Sequence, residues 1–450
     1  MPSIRVHPAT RALSGSVQLP SDKSISHRAI ILSALASGES RLMRFSYGED
    51  NVSTVGALRA LGVNIEDDGQ GTLRVDGVGL AGFHEPTADL DCGNSGTTMR
   101  LLCGVLGAQP FHSRLIGDAS LSGRPMKRVA QPLGLRGAII TGRPHPKKAG
   151  DITAPLEIGP LPNGRRLTGL EYALPIASAQ VKSALLLSGL FASGPTIISE
   201  PLLSRDHTER MLQAMGVPLA TIGTSVRLDP PDHPNALGAF DVELPGDLSA
   251  AAFPLVAAAL VENSDVTTLQ TGTNPSRTGL VDVFKALGAN CLVAPRGSVL
   301  NEPIGELTVK QQPLRAALIA GEMATRGIDE IPIICALAAR ARGVTEIADV
   351  AELRVKESDR LAEMARVLLA FGVSCQERPD GLLIEGKPDG ALKAARVTSH
   401  GDHRIAMTAA VLALVADGPT TIDDTDCIAT SFPSFVVTFR ALGADIEELT

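Results

Sequence analysis

The sequence predicts an α/β protein assembled from six copies of one helix–strand unit, grouped three and three into two domains. Three observations point there. A helix-ending phrase recurs six times at nearly even spacing, a second and more apolar helix recurs once per interval, and short alternating segments bounded by Gly and Pro separate the two.

The phrase reads ALRALGVNI at 57–65, PLGLRGAII at 132–140, MLQAMGVPL at 211–219, VFKALGANC at 283–291, VLLAFGVSC at 367–375 and TFRALGADI at 438–446. Its glycines, Gly62, Gly137, Gly216, Gly288, Gly372 and Gly443, are 75, 79, 72, 84 and 71 residues apart, and one sixth of the 450 residues is 75. Leu and Met at spacings of three and four face a core, the glycine ends the helix in the left-handed conformation it adopts cheaply, and the alternation that follows opens a strand. The second helix has six copies: SDKSISHRAIILSALASG, GNSGTTMRLLCGVLGA, ASAQVKSALLLSGLFASG, GDLSAAAFPLVAAALVENS, DEIPIICALAARARG and GDHRIAMTAAVLALVADG. Near-uniform apolarity marks these as core helices, each expected to start at a Ser, Asn or Asp cap. Strands are expected at IRVHP, TLRVDG, FDVELPG, LTVKQ, LLIEGK and TTIDD. The first of them, residues 4–8, precedes the first core helix and so can pair with the far half of the chain. Hinges are placed near Ser21 and Leu244, with two contiguous halves as the simpler alternative.

Composition narrows the function. Apolar residues make up 44% and charged residues 20%, as in an ordinary globular chain, and the formal net charge of −8 argues against a protein that coats nucleic acid. Without Trp and with 3% aromatics, base-stacking platforms are not expected. The six cysteines form no CxxC unit and no metal-ligand spacing with His, which predicts reduced, mostly buried thiols, a cytoplasmic location and no metal. The N-terminal stretch lacks the apolar segment of a signal peptide, and the longest apolar run, Ala250 to Val261, is too short to cross a bilayer and contains Pro254.

Polar residues concentrate at the starts of the core helices, where backbone N–H groups favour an anion. Lys23, Ser24 and Arg28 open the first, Gly96 and Arg100 the second, Ser178, Ala179 and Gln180 the third, Asp247 and Ser249 the fourth, Asp329 and Glu330 the fifth, and Asp402, His403 and Arg404 the sixth. A Ser or Asp in such a place is usually only a cap. Cations in the first turn, however, oppose the helix dipole and predict a nearby anion. Three further clusters lie at the second helix of a unit or its approach: GDASLSGRPMKR at 117–128 with Arg124, SRDHTER at 204–210 with Arg205, and LRVKESDR at 353–360 with Lys356, Glu357 and Arg360. The last also fits a solvated helix start held by local ion pairs. Taken together, Lys23, Arg28, Arg100, Arg124, Arg205, Lys356, Arg360 and Arg404 form a cationic set for substrates of several negative charges, and two carboxylates, Asp329 and Glu357, suit general acid–base work. No HExxH, GxSxG or P-loop spacing is present.

Eight ordered motifs carry a resemblance over essentially the whole chain: DKSISHR (22–28), CGNSGTTMR (92–100), GDASLSGRPM (117–126), ASAQVKSALL (177–186), RDHTE (205–209), LRVKESDR (353–360), DHRIAM (402–407) and ATSFPSF (429–435). Together they resemble the 5-enolpyruvylshikimate-3-phosphate synthase family of enolpyruvyl transferases, in its bacterial form. The resemblance implies an inside-out α/β prism of six βαβαββ repeats. Residues 20–243 would form one domain, residues 1–19 and 244–450 the other, and the active site would lie in a cleft that closes on its substrates. The implied reaction moves the enolpyruvyl group of phosphoenolpyruvate to the 5-hydroxyl of shikimate 3-phosphate by addition and elimination, releasing phosphate, with no metal or organic cofactor. By motif position, Lys23, Ser24, Arg28, Ser178, Ala179, Gln180, Arg205, Asp329 and Lys356 would hold shikimate 3-phosphate. Lys23, Gly96, Arg124, Gln180, Arg360 and Arg404 would hold phosphoenolpyruvate. Asp329 would act as base at the 5-hydroxyl and Glu357 as proton donor to C3, with Lys23 as the third catalytic group. The implied partners are these two small molecules, without nucleic acid or membrane, acting on a monomer. Two positions depart from the pattern: Thr430 stands where many members carry Lys, and Glu352 where some carry Asn.

Two alternatives are weighed. The related transferase acting on UDP-N-acetylglucosamine usually carries a Cys in the loop matching 117–125, which here reads GDASLSGRP without one. A ring-shaped DNA clamp would set its cations along exposed helix faces instead of at the starts of buried helices.

Overall fold

The computed structural model describes residues 2–162 and 165–449. Six helices are buried on nearly every side: α1 (Lys23–Leu35), α2 (Gly96–Leu106), α3 (Ala179–Gly189), α4 (Leu248–Leu260), α5 (Ile331–Arg340) and α6 (His403–Ala413). Each is followed, one strand later, by an amphipathic helix with one buried face, such as Arg360–Ala370, which buries Leu361, Met364, Val367 and Leu368 at helical spacing. All six recurring glycines that follow these helices adopt positive φ, from 74° at Gly372 to 110° at Gly443, where a side chain would clash with its own carbonyl.

Among the described residues the strands form six four-stranded sheets with one shared plan. An edge strand runs parallel to its neighbour, and the remaining two pairings are antiparallel. In one copy Leu90–Asp91 is parallel to Ser113–Ile116, which pairs antiparallel with Ile152–Gly159, itself antiparallel to Ile139–Pro144. In chain order this is strand, core helix, strand, amphipathic helix, strand, strand. The stretch RPHPKKAGD, 143–151, runs from the end of one strand of that last hairpin into its exposed connection.

The chain separates into two compact units, one of Met1–Asp22, Pro245–Gly297 and Pro303–Thr450, the other of Lys23–Leu244 with Ser298–Glu302. Two strands explain the crossings. Ser14–Gln18 precedes α1, yet it pairs with Asp265–Gly272 of the C-terminal unit. Asp241–Glu243 precedes α4, yet it pairs with Ser37–Met43 of the N-terminal unit. The segment Ser3–Val6 lies between Thr420–Asp423 and Ile446–Leu449, antiparallel to both. The strand anticipated at IRVHP therefore does join the far half of the chain.

Each unit has its own apolar core. In the C-terminal unit α4, α5 and α6 pack on one another. In the other, α2 lies so close to α3 that a Cβ on Gly104 would sit 2.2 Å from the carbonyl oxygen of Ala184, so only glycine permits this approach. The capping expectation needs correction. Ser95, Asp247 and Asp402 do cap their helices through their side chains. Ser178 makes no side-chain cap bond, and α5 starts from Glu330 after a 3-10 turn, Ile328–Glu330, with Pro332 in its first turn. Pro there needs no N–H partner and presets the helical φ. Helix starts that do not cap themselves leave N–H groups for other acceptors.

Candidate active site

The sequence-predicted residues fall into two sets, one per unit. In the N-terminal unit Lys23 is the first residue of α1, and its Nζ lies 2.5 Å from Asp50 Oδ2. One helical turn on, Arg28 is buried. Its Nε donates to Thr208 Oγ1 (2.7 Å), one Nη to Ser183 Oγ (2.7 Å) and the other to the Ser24 carbonyl (2.9 Å). Arg205 Nη1 reaches Ser24 Oγ at 3.4 Å. Ser24, Arg28 and Arg205 thus form one group, gathered from α1, α3 and the start of the helix His207–Ala214.

A second group surrounds the start of α2. Arg100 Nη1 donates to Gln180 Oε1 at 2.5 Å, and Gln180 Nε2 donates to Thr97 Oγ1 at 2.9 Å. Arg124 Nη2 donates to Asn94 Oδ1 at 2.5 Å. A Cβ on Gly96 would lie 2.7 Å from Arg100 Nη1 and 3.2 Å from Arg124 Nη1. The glycine leaves room for two guanidinium groups at one helix start. Ser178 and Ala179 form the cap and first residue of α3, beside Gln180.

The C-terminal unit holds the acid–base candidates. Arg360, first residue of its helix and buried, is their hub. Its Nε lies 2.9 Å from Asp402 Oδ2, Nη2 2.7 Å from Glu357 Oε2, and Nη1 3.6 Å from Asp329 Oδ1. Lys356 Nζ is 3.7 Å from the same Asp329 oxygen and 3.5 Å from Glu352 Oε1. Burial alone would lower the Arg360 pKa, but Asp402, Glu357 and Asp329 outweigh it and hold it above the ordinary range. Burial would likewise push the Asp402 carboxyl up, yet Arg360 holds it below its usual value. The Asp329 and Glu357 side chains keep 15% and 24% exposure, which leaves them reachable by a substrate group. Arg404, in the first turn of α6, has Nη1 3.8 Å from Glu330 Oε1. At the departing positions, Glu352 pairs with Lys356, and Thr430 donates to the Cys427 carbonyl at 2.7 Å and lies 3.4 Å from His403 Nδ1.

The charge balance differs from the expectation of eight cations against two carboxylates. Asp50, Glu330, Glu352 and Asp402 also meet those cations, so much of the positive charge is answered inside each unit. From sequence Asp402 and Glu330 read only as helix-start residues, and Asp50 lies within the amphipathic helix Glu49–Ala60, where nothing in the sequence distinguishes it from a surface acid. The six cysteines are free thiols. Three of them are buried and three only partly so, and burial pushes Cys103, inside α2, up to about 12. Among the described residues no cluster of three or more His, Cys, Asp or Glu could hold a metal ion, and no helix is long and apolar enough to cross a membrane.

Comparison with known proteins shows the family. A family model described as EPSP synthase (3-phosphoshikimate 1-carboxyvinyltransferase) matches residues 8–439. The chain belongs to the EPSP synthase family. A 3-phosphoshikimate 1-carboxyvinyltransferase of Geobacter sulfurreducens is 47% identical over 435 residues, 97% of this chain and 98% of that one. A protein of the same name from Herpetosiphon aurantiacus is 47% identical over 425 residues, 94% of this chain and 96% of the other. A solved EPSP synthase structure from Acinetobacter baumannii covers 100% of both chains with a TM-score of 0.88 and 40% identity. The UDP-N-acetylglucosamine alternative is not favoured by these matches, and six sheets on a single plan match EPSP synthase architecture, not a clamp.

Proposed function

We propose that the chain transfers the enolpyruvyl group of phosphoenolpyruvate to the 5-hydroxyl of shikimate 3-phosphate. The observation that supports this most directly is the pair of carboxylates sharing one guanidinium: Asp329 and Glu357, 3.6 and 2.7 Å from Arg360. An addition–elimination needs one group to take a proton from oxygen while another gives a proton to carbon.

In this reading the Asp329 carboxylate takes the 5-hydroxyl proton as that oxygen bonds to C2 of phosphoenolpyruvate. Glu357 gives a proton to C3, which turns the enol double bond into a methyl group. The tetrahedral adduct then expels phosphate, C3 returns its proton to Glu357, and the Asp329 proton leaves with phosphate or solvent. Lys23, Ser24, Arg28, Ser178, Ala179, Gln180, Arg205 and Lys356 hold shikimate 3-phosphate beside Asp329. Lys23, Gly96, Arg124, Gln180, Arg360 and Arg404 hold phosphoenolpyruvate. For Lys23 and Arg360 the substrate anion competes with Asp50 and with Glu357, so binding exchanges one counter-charge for another. Arg suits this task because its fork serves a carboxylate and a phosphate with the same geometry.

The enzyme is proposed to act as a cytoplasmic monomer, in line with its free thiols; light scattering at micromolar concentration tests the monomer. For the reaction, phosphate release is measured with phosphoenolpyruvate and either shikimate 3-phosphate or UDP-N-acetylglucosamine. Release with the first acceptor alone is expected. Release with the second alone, or with neither, overturns the reading.

A further inference from the structure

Beside Arg404 lies a buried cluster that the reaction as derived does not use. Arg277 is 3% exposed, and its guanidinium faces three carboxylates. Nη2 donates to Ser249 Oγ at 2.6 Å and lies 3.4 Å from Glu330 Oε1 and 3.8 Å from Asp247 Oδ1, while Nη1 is 3.8 Å from Asp22 Oδ2. Ser249 Oγ also donates to Glu330 Oε1. Burial works against the charge on Arg277, but Glu330, Asp22, Asp247 and Asp329 together hold its pKa above the ordinary range.

The arginine is firmly mounted. Asn274 Oδ1 accepts from the Ser276 N–H (2.9 Å) and hydroxyl (2.8 Å), and the Arg277 N–H donates to the Asn274 carbonyl (2.8 Å). Arg326 donates to the Pro275 carbonyl at 3.0 Å. A Cβ on Gly279 would meet the Gly327 nitrogen at 2.5 Å, so the loop is pressed against the turn that leads into Asp329. Asp22 and Asp247 flank the paired connecting segments, where the Asp22 N–H donates to the Pro245 carbonyl (2.7 Å) and the Asp247 N–H to the Pro20 carbonyl (2.9 Å).

Glu330 is the key to what this cluster can do. Ser249, Arg277 and Arg404 all meet the single oxygen Oε1, while Oε2 is buried without a hydrogen-bond donor. Two guanidinium groups therefore share one carboxylate oxygen. We propose that Arg277 is a positioning residue that engages Glu330 so that Arg404 stays available to an incoming anion. Without the Arg277 charge, Glu330 has Arg404 as its remaining cation among these contacts, and an ion pair inside a protein strengthens as competing charge is removed. Phosphoenolpyruvate must then break that pair before it can bind. Only Arg offers enough donors in a rigid fork to hold Ser249 and Glu330 while facing both aspartates.

The inference rests on the assignment of Arg404 to phosphoenolpyruvate, and the experiment separates the two. Steady-state kinetics in both substrates are compared for Arg277→Met, Glu330→Gln, the double variant and Arg404→Ala. Arg277→Met is expected to raise KM for phosphoenolpyruvate about tenfold, the scale of one charge-assisted contact, with KM for shikimate 3-phosphate changed less than about twofold. The double variant, which removes the competing carboxylate as well, is expected to recover most of that loss. Glu330→Gln alone is expected to leave KM for phosphoenolpyruvate equal or lower, and it carries the test if Arg277→Met does not fold. Equal rises in both KM values, no recovery in the double variant, or a raised KM in Glu330→Gln overturns the proposal. If Arg404→Ala leaves KM for phosphoenolpyruvate unchanged, the assignment of Arg404 fails instead.

Discussion

Arginines around the candidate site are held differently in the two units. In the N-terminal unit Arg28 is gripped by the hydroxyls of Thr208 and Ser183 and the carbonyl of Ser24, Arg100 by the Gln180 amide oxygen, and Arg124 by the Asn94 amide oxygen. In the C-terminal unit Arg360, Arg404 and Arg277 meet carboxylates. A neutral oxygen orients a guanidinium without cancelling its charge, whereas a carboxylate orients it and cancels the charge. The first arrangement suits capture of an anion. The second suits chemistry, where a proton must be held and released beside a cation.

The comparison breaks first at the carboxylates. If the C-terminal set performs the proton transfers, Asp329→Ala and Glu357→Gln each lower kcat by about 10²–10⁴-fold with unfolding midpoints near that of the parent; near-normal turnover in both sinks the assignment. The next effect is on stability. The N-terminal unit also contains a buried ionic cluster, Lys182 Nζ at 2.6 Å from Glu200 and 2.8 Å from Glu209. Removing the lysine strands two buried acids, so Lys182→Met should cost about 3–5 kcal/mol in urea unfolding. A loss below about 1 kcal/mol would mean that the acids take up protons in place of the lysine, an outcome that the Glu209 carboxyl, raised by burial, already leans toward.

A smaller effect sharpens the capture half. Arg28→Gln deletes charge but keeps hydrogen bonding, and it should raise KM for shikimate 3-phosphate about 10- to 100-fold while leaving KM for phosphoenolpyruvate within about threefold. Equal rises would make Arg28 a structural residue. The smallest effect concerns pH. The Asp402 carboxyl has its folded pKa depressed below the ordinary 3.8, so its contribution is present above about pH 4 and is lost as pH falls through the depressed value. In Asp402→Asn, which preserves the cap, the melting deficit relative to the parent should be larger at pH 6 than at pH 3. A deficit independent of pH would show that geometry, not charge, matters there.

Much of this was legible from the chain alone because it is local or periodic. The six glycines at even spacing announced the repeat, since a left-handed helix end has one cheap residue. The core helices showed as uninterrupted Ala and Leu. What stayed hidden was pairing. DKSISHR says nothing of Asp50, 27 residues past Lys23, because contacts between the two helices of a repeat leave no mark on spacing. Arg277 sits in TGTNPSRTG, a turn-rich stretch that reads as an ordinary surface loop, and its burial follows only from the packing of Gly279 on the segment before Asp329. The capping expectation failed at the fifth core helix for a related reason: the helix starts from Glu330, whose side chain is engaged by Ser249 instead of the helix start.

The strand Ser3–Val6, seated between Thr420–Asp423 and Ile446–Leu449, bears on how the chain is made. It is synthesised long before either neighbour, so this sheet cannot close until both have been made. A fragment spanning 245–450 would lack both this middle strand and Ser14–Gln18, baring the facing edges of Thr420–Asp423, Ile446–Leu449 and Asp265–Gly272 to other copies. The C-terminal unit therefore cannot be excised as a contiguous piece, and a permuted chain that fuses residues 2–19 behind residue 449 is the natural way to produce it alone.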